Sequence, residues 1–276
     1  MLTRLNAIQV EKPWGRTDVP EHFGGRSGKR LGEIWFQRGD RDPSTDALLV
    51  KYLFTSERLS VQVHPDDAGA QAAGETRGKD EAWVVLDAEP GSTIGIGLKE
   101  ALSPAALRLA AEDGSIAEQL DWRPAAAGDV YYSPAGTLHS IGAGLTLLEV
   151  QQNSDITYRL FDFGRPRDLH IKEAVSAAKP DLRIAKSRET SLGRGRSIIA
   201  QGSKFTLERW TEGARRTAAG GERPLWLMPV RGTVVADGQT LDPASVWIAD
   251  DPLMIEVRSG GELLIAYEGD QPLAHA

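Results

Sequence analysis

The amino-acid sequence predicts a mainly all-β protein made of two β-barrel or jelly-roll units with a few short helices. Short runs of apolar and β-branched residues recur along the chain, and turn segments such as "AEPGS" (88–92) and "GAG" (142–144) separate them. Helical periodicity is scarce. Many short strands at this spacing are typical of a β-sandwich or a β-barrel. The runs in the first half of the chain cover residues 47–56, 59–64, 81–87, 92–98, 129–134 and 145–152.

Only two segments carry helical signals. The segment 103–122 has Ser103 as a candidate N-cap and Pro104 at the first helical position, a combination that favours a helix start. Its Gly114 is expected to divide the segment into two short helices. The segment 169–179 is a second helical candidate.

A charged segment with weak periodicity, from about residue 180 to 195, is interpreted as a linker. A second series of β runs follows it and ends at 262–269. We therefore predict a first domain over residues 1–185 and a second β domain over residues 186–276. The second domain contains one histidine, His275, so any chemistry is assigned to the first.

The composition argues against several classes of protein. With a net charge of −7 and a pI near 5.4, the chain lacks the basic character that nucleic-acid binding requires. It contains no cysteine, so any metal must be held by nitrogen and oxygen atoms. No apolar run approaches the ~20 residues of a membrane helix, and the first residues lack a signal-peptide core. We expect a cytoplasmic protein, a monomer or weak homo-oligomer, with no nucleic-acid or membrane partner.

The stretch "LSVQVHPDD" (59–67) places Gln62 and His64 two residues apart on a predicted strand. Side chains two apart on a strand point to the same face. An amide and an imidazole therefore lie side by side just before the strand ends at Pro65. In the simplest structural interpretation, these two side chains hydrogen-bond to each other and to loop backbone.

A further histidine follows a turn in the segment "GDVYYSPAGTLHSIGAG" (128–144). The turn at residues 134–136 directs the next strand, with His139, toward a barrel interior. The segment resembles the second sequence motif of cupins, small β-barrels that hold a metal ion inside. The resemblance is partial, because the asparagine that cupins carry four residues after the histidine is Ala143 here.

Together these residues form a candidate metal site. Glu81 opens another predicted strand after a glycine-containing loop, and it adds a carboxylate to Gln62, His64 and His139. Two neutral imidazoles, a carboxylate and an amide oxygen suit Zn²⁺, with the amide as the weakest ligand. The site lies in the first domain, which is therefore predicted to be the metal-binding catalytic domain, and the second domain is predicted to be metal-free.

Six segments of the chain resemble type I phosphomannose isomerase in its short bacterial form, and they follow one another in the family's order. The resemblance covers roughly residues 11 to 178, whereas the second β unit fits the family's smaller C-terminal cupin domain only in its pattern. The segments are "EKPWG" (11–15), "LGEIW" (31–35), "LSVQVHPDD" (59–67), "GKDEAW" (78–83), "YYSPAGTLHSIG" (131–142) and "LLEVQQNSDITYRLFDFGR" (147–165).

The resemblance implies a zinc-dependent aldose–ketose isomerase that interconverts mannose 6-phosphate and fructose 6-phosphate, with one Zn²⁺ per chain. The sugar phosphate is then the small-molecule partner. The family's metal ligands fall on the four residues of the candidate metal site. Its active-site lysine falls on Lys79, and its aspartate and arginine fall on Asp155 and Arg159.

Aldose–ketose isomerisation moves a proton between C2 and C1 through an enediol, so it needs a base and a way to hold negative charge on oxygen. Arg159 carries a permanent charge and a planar fork that suit an enediolate or a phosphate. Lys79 is a compact cation for the same region, and Asp155 is expected to orient Arg159 or to accept a proton. Trp14 is interpreted as a wall of the substrate pocket and Glu33 as an acceptor for a sugar hydroxyl; a structural role is the alternative for each.

The sequence departs from the family at three points. Ile156 stands where larger members have asparagine, and the large helical insertion of longer members is missing. Gly78 stands where many members have a histidine, a candidate acid for opening the sugar ring. Ring opening must then use another group or solvent.

Two other functions fit parts of the pattern. A non-catalytic cupin could keep the fold as a sugar-phosphate sensor, but the retention of four ligands together with Lys79, Asp155 and Arg159 argues against it. A cupin dioxygenase with non-haem Fe(II) usually offers more histidines and open positions for oxygen, and Gln62 counts against that function. The leading hypothesis is the isomerase.

Overall fold

The computed structural model describes residues 1–39, 41–221 and 223–273, and His275 lies outside them. Strands account for 46% of the chain and helices for 12%, which confirms the prediction of a mainly β fold. Within the described part, none of the helices has the length and apolar character that crossing a bilayer requires.

The strands pair in four antiparallel sheets. In chain order they are β1 (Leu2–Arg4), β2 (Asn6–Asp18), β3 (Arg26–Gln37), β4 (Leu48–Phe54), β5 (Val61–Val63), β6 (Glu81–Ala88), β7 (Thr93–Leu98), β8 (Leu120–Pro124), β9 (Val130–Ser133), β10 (His139–Ile141), β11 (Leu145–Gln152), β12 (Tyr158–Phe161), β13 (Thr190–Gly193), β14 (Arg196–Gln201), β15 (Phe205–Thr211), β16 (Arg215–Ala218), β17 (Leu225–Arg231), β18 (Val234–Ala236), β19 (Gln239–Leu241), β20 (Trp247–Ala249), β21 (Leu253–Val257) and β22 (Glu262–Glu268).

The helices are few and short. They are α1 (Asp67–Ala72), α2 (Pro104–Asp113), α3 (Ile116–Gln119) and α4 (Ile171–Ala177), with two 3₁₀ turns at Glu21–Phe23 and Pro43–Thr45. The expected start of α2 is confirmed, because the Ser103 side chain accepts a hydrogen bond from the Ala106 N–H at 3.2 Å. Gly114 ends α2 in the left-handed conformation, with φ of 82°, and separates it from α3 as predicted.

The first β unit consists of a six-stranded sheet and a five-stranded sheet. Their orders are β2-β3-β4-β11-β6-β9 and β12-β5-β10-β7-β8. Apolar side chains fill part of the space between the sheets, among them Trp83, Tyr131 and Leu147. A separate apolar cluster includes residues of β5, α2, α3 and α4, so the helices cover the outer face of the five-stranded sheet. The polar site described below lies between the two sheets.

The second β unit consists of a seven-stranded sheet and a four-stranded sheet. Their orders are β1-β20-β17-β22-β15-β14-β13 and β16-β21-β18-β19. Its interior is mainly apolar, and it contains a buried ion pair in which Arg196 donates to Glu208 at 2.8–3.0 Å. The Trp210 Nε1–H and the Tyr267 hydroxyl also donate to Glu208, at 2.8 and 2.7 Å.

The two units share an apolar core. The six-stranded sheet of the first unit packs against the seven-stranded sheet of the second, with Tyr52 and Val150 on one side and Trp226 and Leu264 on the other. Strands β4 and β11 are buried on both faces as a result. This double burial explains why both strands have nearly continuous apolar sequences in place of an alternating pattern.

The first strand of the chain lies in the sheet of the second unit. Leu2, Thr3 and Arg4 of β1 pair with residues 247–249 of β20. The division of the chain near residue 185 stays a prediction. Residues 2–4 pair outside the sheets of the unit to which that division assigns them.

Candidate metal centre

The register of the five-stranded sheet brings three polar residues into one row. On strand β5, which lies between β12 and β10, Gln62 is the pairing partner of His139 on β10 and of Arg159 on β12. Residues that pair directly across antiparallel strands project to the same face. The row therefore presents an amide, an imidazole and a guanidinium to the space between the sheets.

Backbone hydrogen bonds fix the turn that precedes His139. The Gly136 N–H donates to the His64 carbonyl at 2.8 Å, and the Thr137 N–H donates to the Pro134 carbonyl at 3.1 Å. The turn at residues 134–136 therefore closes onto the end of β5. This closure explains how two histidines 75 residues apart come to face each other, with ring centroids 5.0 Å apart.

Both imidazoles are held in the same tautomer. The Nδ1 atom of His64 lies 2.8 Å from the Ile156 carbonyl oxygen, and Nδ1 of His139 lies 3.0 Å from the Thr137 carbonyl oxygen. Because a carbonyl oxygen can only accept, each Nδ1 carries the proton and each Nε2 carries a lone pair. Metal-binding histidines are usually held in this way by a second partner.

The lone pairs converge on the carboxylate of Glu81. His64 Nε2 lies 3.3 Å from Glu81 Oε1, and His139 Nε2 lies 3.6 Å from Glu81 Oε2. The three groups can each offer one atom such that all three atoms lie within 4.8 Å of one another. Among the described residues, the buried Nε2 of His64 has no hydrogen-bond partner. Lone pairs that face a carboxylate repel it unless a cation stands between them, so the residues fit a divalent metal ion.

The protonation states also suit metal binding. Burial lowers the pKa of His64, and burial lowers that of His139 to about 4, so both rings are neutral at physiological pH. Burial by itself would raise the pKa of Glu81, but the charge of Lys79 and the two histidines outweigh it and hold that pKa well below its usual range. Neutral imidazoles and an ionised carboxylate are the forms that bind zinc.

Gln62 contacts His139 and not His64. Its Nε2 lies 3.2 Å from Nε2 of His139, and its Oε1 accepts a hydrogen bond from the Ser60 hydroxyl at 3.1 Å. The structure thus places the amide nitrogen, not the oxygen, nearest the cluster. A half-turn of the amide group exchanges the two atoms and presents the oxygen that metal ligation needs.

Lys79 lies against the cluster. Its Nζ is 3.0 Å from Glu81 Oε1, and the side chain is buried. Burial acts to lower the pKa of Lys79, but the charges of Glu81, Glu149 and Asp155 outweigh it and raise that pKa. Lys79 is therefore a fixed cation at the edge of the metal site.

A second group of buried charges, which the sequence analysis missed, lies on the opposite sheet. Glu149 of β11 accepts from the Trp83 Nε1–H at 3.0 Å and lies 3.6 Å from Nζ of Lys51. Burial raises the pKa of Glu149 to about 7, and the charge of Glu81 contributes. The signal was present in the sequence: a lysine in "LLVKYLF" and a glutamate in "LTLLEVQQ", each inside an apolar strand. A charge at such a position is rarely buried without a specific partner.

Gln62, Lys79 and Glu81 line a narrow cavity of about 80 Å³, and the remaining predicted site residues line it as well. Trp14 is buried in its wall, and Glu33 is held there by the Trp35 Nε1–H at 2.6 Å and by Lys12 at 3.3 Å. Asp155 and Arg159 line it too, together with Lys51, Glu149 and Arg167, which the sequence analysis did not name.

The expected role of Asp155, to orient Arg159 or to accept a proton, stays a prediction. In the described part of the chain no ion pair joins them, and the buried Nε of Arg159 has no hydrogen-bond partner. Asp155 is exposed at the rim of the cavity. Its influence on Arg159 and Lys79 is a longer-range electrostatic one.

The glycine before Lys79 is required by close packing. A Cβ atom at Gly78 would lie 2.5 Å from the Asp66 carbonyl carbon and 2.6 Å from the Pro65 carbonyl oxygen. The loop that carries Lys79 thus passes directly over the residues that follow His64. A histidine at position 78 would not fit without a backbone shift, so there is no room here for the candidate ring-opening acid that the resemblance implies.

The fold and the cluster define a protein of two β units with a buried histidine–carboxylate site suited to a divalent metal. No family model matches the chain. A Streptococcus mutans mannose-6-phosphate isomerase is 37% identical over 199 residues, covering 66% of this chain and 61% of that protein. A Bacillus subtilis protein described as "Putative mannose-6-phosphate isomerase YvyI" is 35% identical over 255 residues, covering 75% of this chain and 78% of that protein. The chain belongs to the mannose-6-phosphate isomerase family, which confirms the resemblance drawn from its motifs.

Solved structures agree with this family. The mannose 6-phosphate isomerase of Bacillus subtilis superposes with a TM-score of 0.81 at 26% identity, covering 96% of this chain and 99% of that one. A zinc-bound mannose 6-phosphate isomerase, 16% identical, superposes with a TM-score of 0.72 over 97% of this chain and 99% of that one. At that identity the second likeness concerns the fold alone.

Proposed function

We propose that this protein interconverts mannose 6-phosphate and fructose 6-phosphate as a zinc-dependent aldose–ketose isomerase. The observation that carries the proposal is the buried His64–Glu81–His139 cluster, whose two Nε2 lone pairs converge on one carboxylate. Family membership adds the substrate, because the relatives are mannose-6-phosphate isomerases by name.

In this proposal His64 and His139 hold one zinc ion through Nε2, Glu81 holds it through its carboxylate and Gln62 through its amide oxygen. One solved structure of this fold carries zinc. Bound at this position, zinc would supply positive charge that favours negative charge on an oxygen of the sugar.

Arg159 and Lys79 bind the anionic parts of the substrate. Arg159 lines the cavity with no ion-pair partner among the described residues, so its guanidinium is available to an enediolate or a phosphate. Lys79, at 3.0 Å from Glu81, keeps a second positive charge beside the same space. In the absence of substrate the charge of Lys79 is balanced by the buried carboxylate of Glu81, which limits the cost of burying it.

Glu149 is the group we assign to proton transfer between C2 and C1. It lines the cavity, it is buried, and the Trp83 indole N–H donates to one of its oxygens, while the other oxygen lies 3.6 Å from Nζ of Lys51. A base works best when its pKa lies near the working pH, and that of Glu149 lies at about 7. Asp155, exposed at the rim, is the second candidate.

Trp14 and Glu33 shape the cavity. The buried indole of Trp14 forms an apolar wall that excludes water from the reacting carbons. Glu33 is ionised, because the charges of Lys51 and Lys12 outweigh the effect of burial and lower its pKa. Its lone pairs that do not accept from Trp35 are open to a sugar hydroxyl.

Solvent or another side chain serves ring opening, since position 78 offers no side chain.

The test is metal analysis of the purified protein combined with a coupled assay on mannose 6-phosphate. We expect about one zinc per chain, turnover that a chelator abolishes, and joint loss of zinc and turnover in His139→Ala. His22→Ala, which changes an exposed histidine outside the site, is the control and should retain both. Tight sugar-phosphate binding without turnover would instead identify a sensor, and an iron requirement with oxygen uptake would identify a dioxygenase.

Further properties of the protein stay predictions from composition alone. They are a cytoplasmic location, a monomeric or weakly homo-oligomeric state, and the absence of nucleic-acid and membrane partners.

A further inference from the structure

The residue between Lys79 and Glu81 faces away from the cavity. Glu81 points into the first unit, whereas Asp80, which directly precedes β6, points toward Tyr132. The buried Asp80 carboxylate accepts from the Ala135 N–H at 2.9 Å and from the Tyr132 hydroxyl at 2.8 Å. Asp80 thereby joins the loop that carries Lys79 and Glu81 to the turn that precedes His139.

The second unit holds Tyr132 in place. The ring of Tyr132 lies 5.0 Å from that of Phe205, centroid to centroid. A Cβ atom at Gly202 would lie 2.0–2.3 Å from the phenol end of Tyr132, so the backbone of residue 202 is in direct contact with that ring. Because a side chain at position 202 would displace Tyr132, glycine is required there by the contact.

A second contact from the same turn reaches the loop by another path. Lys204 Nζ lies 2.5 Å from Oδ2 of Asp67. The other oxygen of Asp67 accepts from the Gly78 N–H at 2.8 Å and from the Gln152 amide at 3.1 Å. Gln152 in turn accepts from the Asp80 N–H at 3.0 Å. The residues on both sides of Lys79 are thus held by groups that Lys204 and Tyr132 fix.

We propose that the turn at residues 202–205 of the second unit positions the loop at residues 78–81, and through it the metal ligand Glu81 and the cation Lys79. The proposal rests on the proposed function. It gives the second unit, which supplies none of the described cavity-lining residues, a part in metal binding and catalysis. Partners one shell beyond the ligands typically change metal affinity or activity by about 10–100-fold when they are removed.

Two substitutions test the two contacts. Tyr132→Phe keeps the ring but leaves Asp80 without the hydroxyl donor, and it should weaken zinc binding by about 10-fold or more, measured by chelator competition. Lys204→Met removes the ion pair, which is about one-third exposed, so the loss of zinc affinity should be about 2- to 5-fold. Lys204→Arg should restore most of it.

The matched control is Lys186→Met. Lys186 forms a comparable, partly exposed ion pair with Asp129 at 2.6 Å, away from the loop at residues 78–81. The Lys186→Met variant should bind zinc as tightly as the wild type and should convert the sugar phosphate at the same rate. Measuring zinc affinity at increasing salt concentration adds a second test. A purely structural role of Lys204 would not make the difference between the wild type and Lys204→Met depend on salt. At about 1 M salt, screening of the Lys204–Asp67 ion pair should remove most of the difference in zinc affinity between the wild type and Lys204→Met.

The inference is overturned if both Tyr132→Phe and Lys204→Met bind zinc as tightly as the wild type and retain its kcat and KM. Equal losses in Lys186→Met and Lys204→Met would also overturn it. The melting temperature of each zinc-free variant is measured in parallel, because positioning requires that affinity falls where the fold is intact. If the wild type binds zinc but does not isomerise the sugar phosphate, the proposed function fails while the zinc affinities still test the positioning.

Discussion

Lys51 and Glu149 place two charges in the apolar sheet that faces the cavity. Each is a charged side chain in the middle of an apolar strand, and that position alone marks it as unusual. What the sequence does not contain is the register that places the two directly across from each other on β4 and β11. Register depends on pairings between strands almost 100 residues apart. His64 and His139, which lie with Glu81 in the structure, were named from the sequence because a strand motif and a turn motif marked them locally, and the role of Gln62 as a fourth ligand stays a prediction.

Arg159 should be needed for turnover but not for metal binding. Arg159→Ala is expected to retain about one zinc per chain and to lose about 10²–10³-fold in kcat, because a charge-stabilising group in the cavity is removed. Zinc analysis and the coupled assay measure the two properties separately. Arg188→Ala, an exposed arginine in the predicted linker, should behave as the wild type. A fully active Arg159→Ala protein would refute the role assigned to Arg159.

The carboxyl of Glu149 should make the stability of the zinc-free protein depend on pH. Its pKa rises from a usual 4.5 to about 7 on folding. Such a group stabilises the folded state fully below its unfolded pKa and loses that contribution as the pH rises through 7. Glutamine cannot ionise, so Glu149→Gln should be more stable than the wild type at pH 8 and should differ much less at pH 5.

Denaturant unfolding of the zinc-free proteins at both pH values measures this difference. Glu112→Gln, at an exposed position on α2, should show no such pH dependence. An equal difference between Glu149→Gln and the wild type at pH 5 and pH 8 would be inconsistent with a raised pKa for Glu149.

At the scale of elements, local signals predicted some segments and failed for others. The caps of α2 were predicted because capping is a property of neighbouring residues. Strands β2 and β3 were not predicted, because β2 is largely exposed and its polar sequence lacks an alternating pattern. Helix α1 was missed as well, since its six residues bury only Ala70 and carry no apolar periodicity. Elements of this kind are held by partners distant in sequence.

Removing the cap of α2 should cost a measurable part of the stability. In Ser103→Ala the Ala106 N–H loses its acceptor, and the free energy of unfolding should fall by about 1 kcal/mol. Ser103→Asp keeps an oxygen at the same place and should stay close to the wild type. Denaturant unfolding measures both, and equal stability of the alanine and aspartate variants would show that the cap contributes nothing.

At the scale of the whole molecule, the sequence predicted two β units but not how they meet. The faces of β4 and β11 that pack on the second unit are largely apolar, and the faces that line the first unit are also apolar apart from Lys51, Glu149 and Gln151. Hydrophobicity alone does not distinguish a face that lines a barrel from a face that packs on another sheet. The contact becomes evident only when both sheets are assembled, in the core that Tyr52, Val150, Trp226 and Leu264 share.

This shared core should make the two units unfold together. Leu264 is fully buried on the second-unit side, so Leu264→Ala should lower the free energy of unfolding by about 2–5 kcal/mol. Leu109→Ala, the same change at a leucine that is 63% exposed, should cost little. Denaturant unfolding followed by fluorescence and by zinc release should give one coincident transition for Leu264→Ala. Two separate transitions, with zinc release unchanged, would contradict a common core.

The pairing of β1 with β20 constrains the order in which the protein can fold during synthesis. A nascent chain leaves the ribosome amino end first, so residues 2–4 emerge long before residues 247–249 exist to receive them. Until then the first strand has no partner in its sheet. The pairing of β1 with β20 therefore forms only after residues 247–249 have been synthesised, and a polypeptide released before that point would leave β1 without its partner strand.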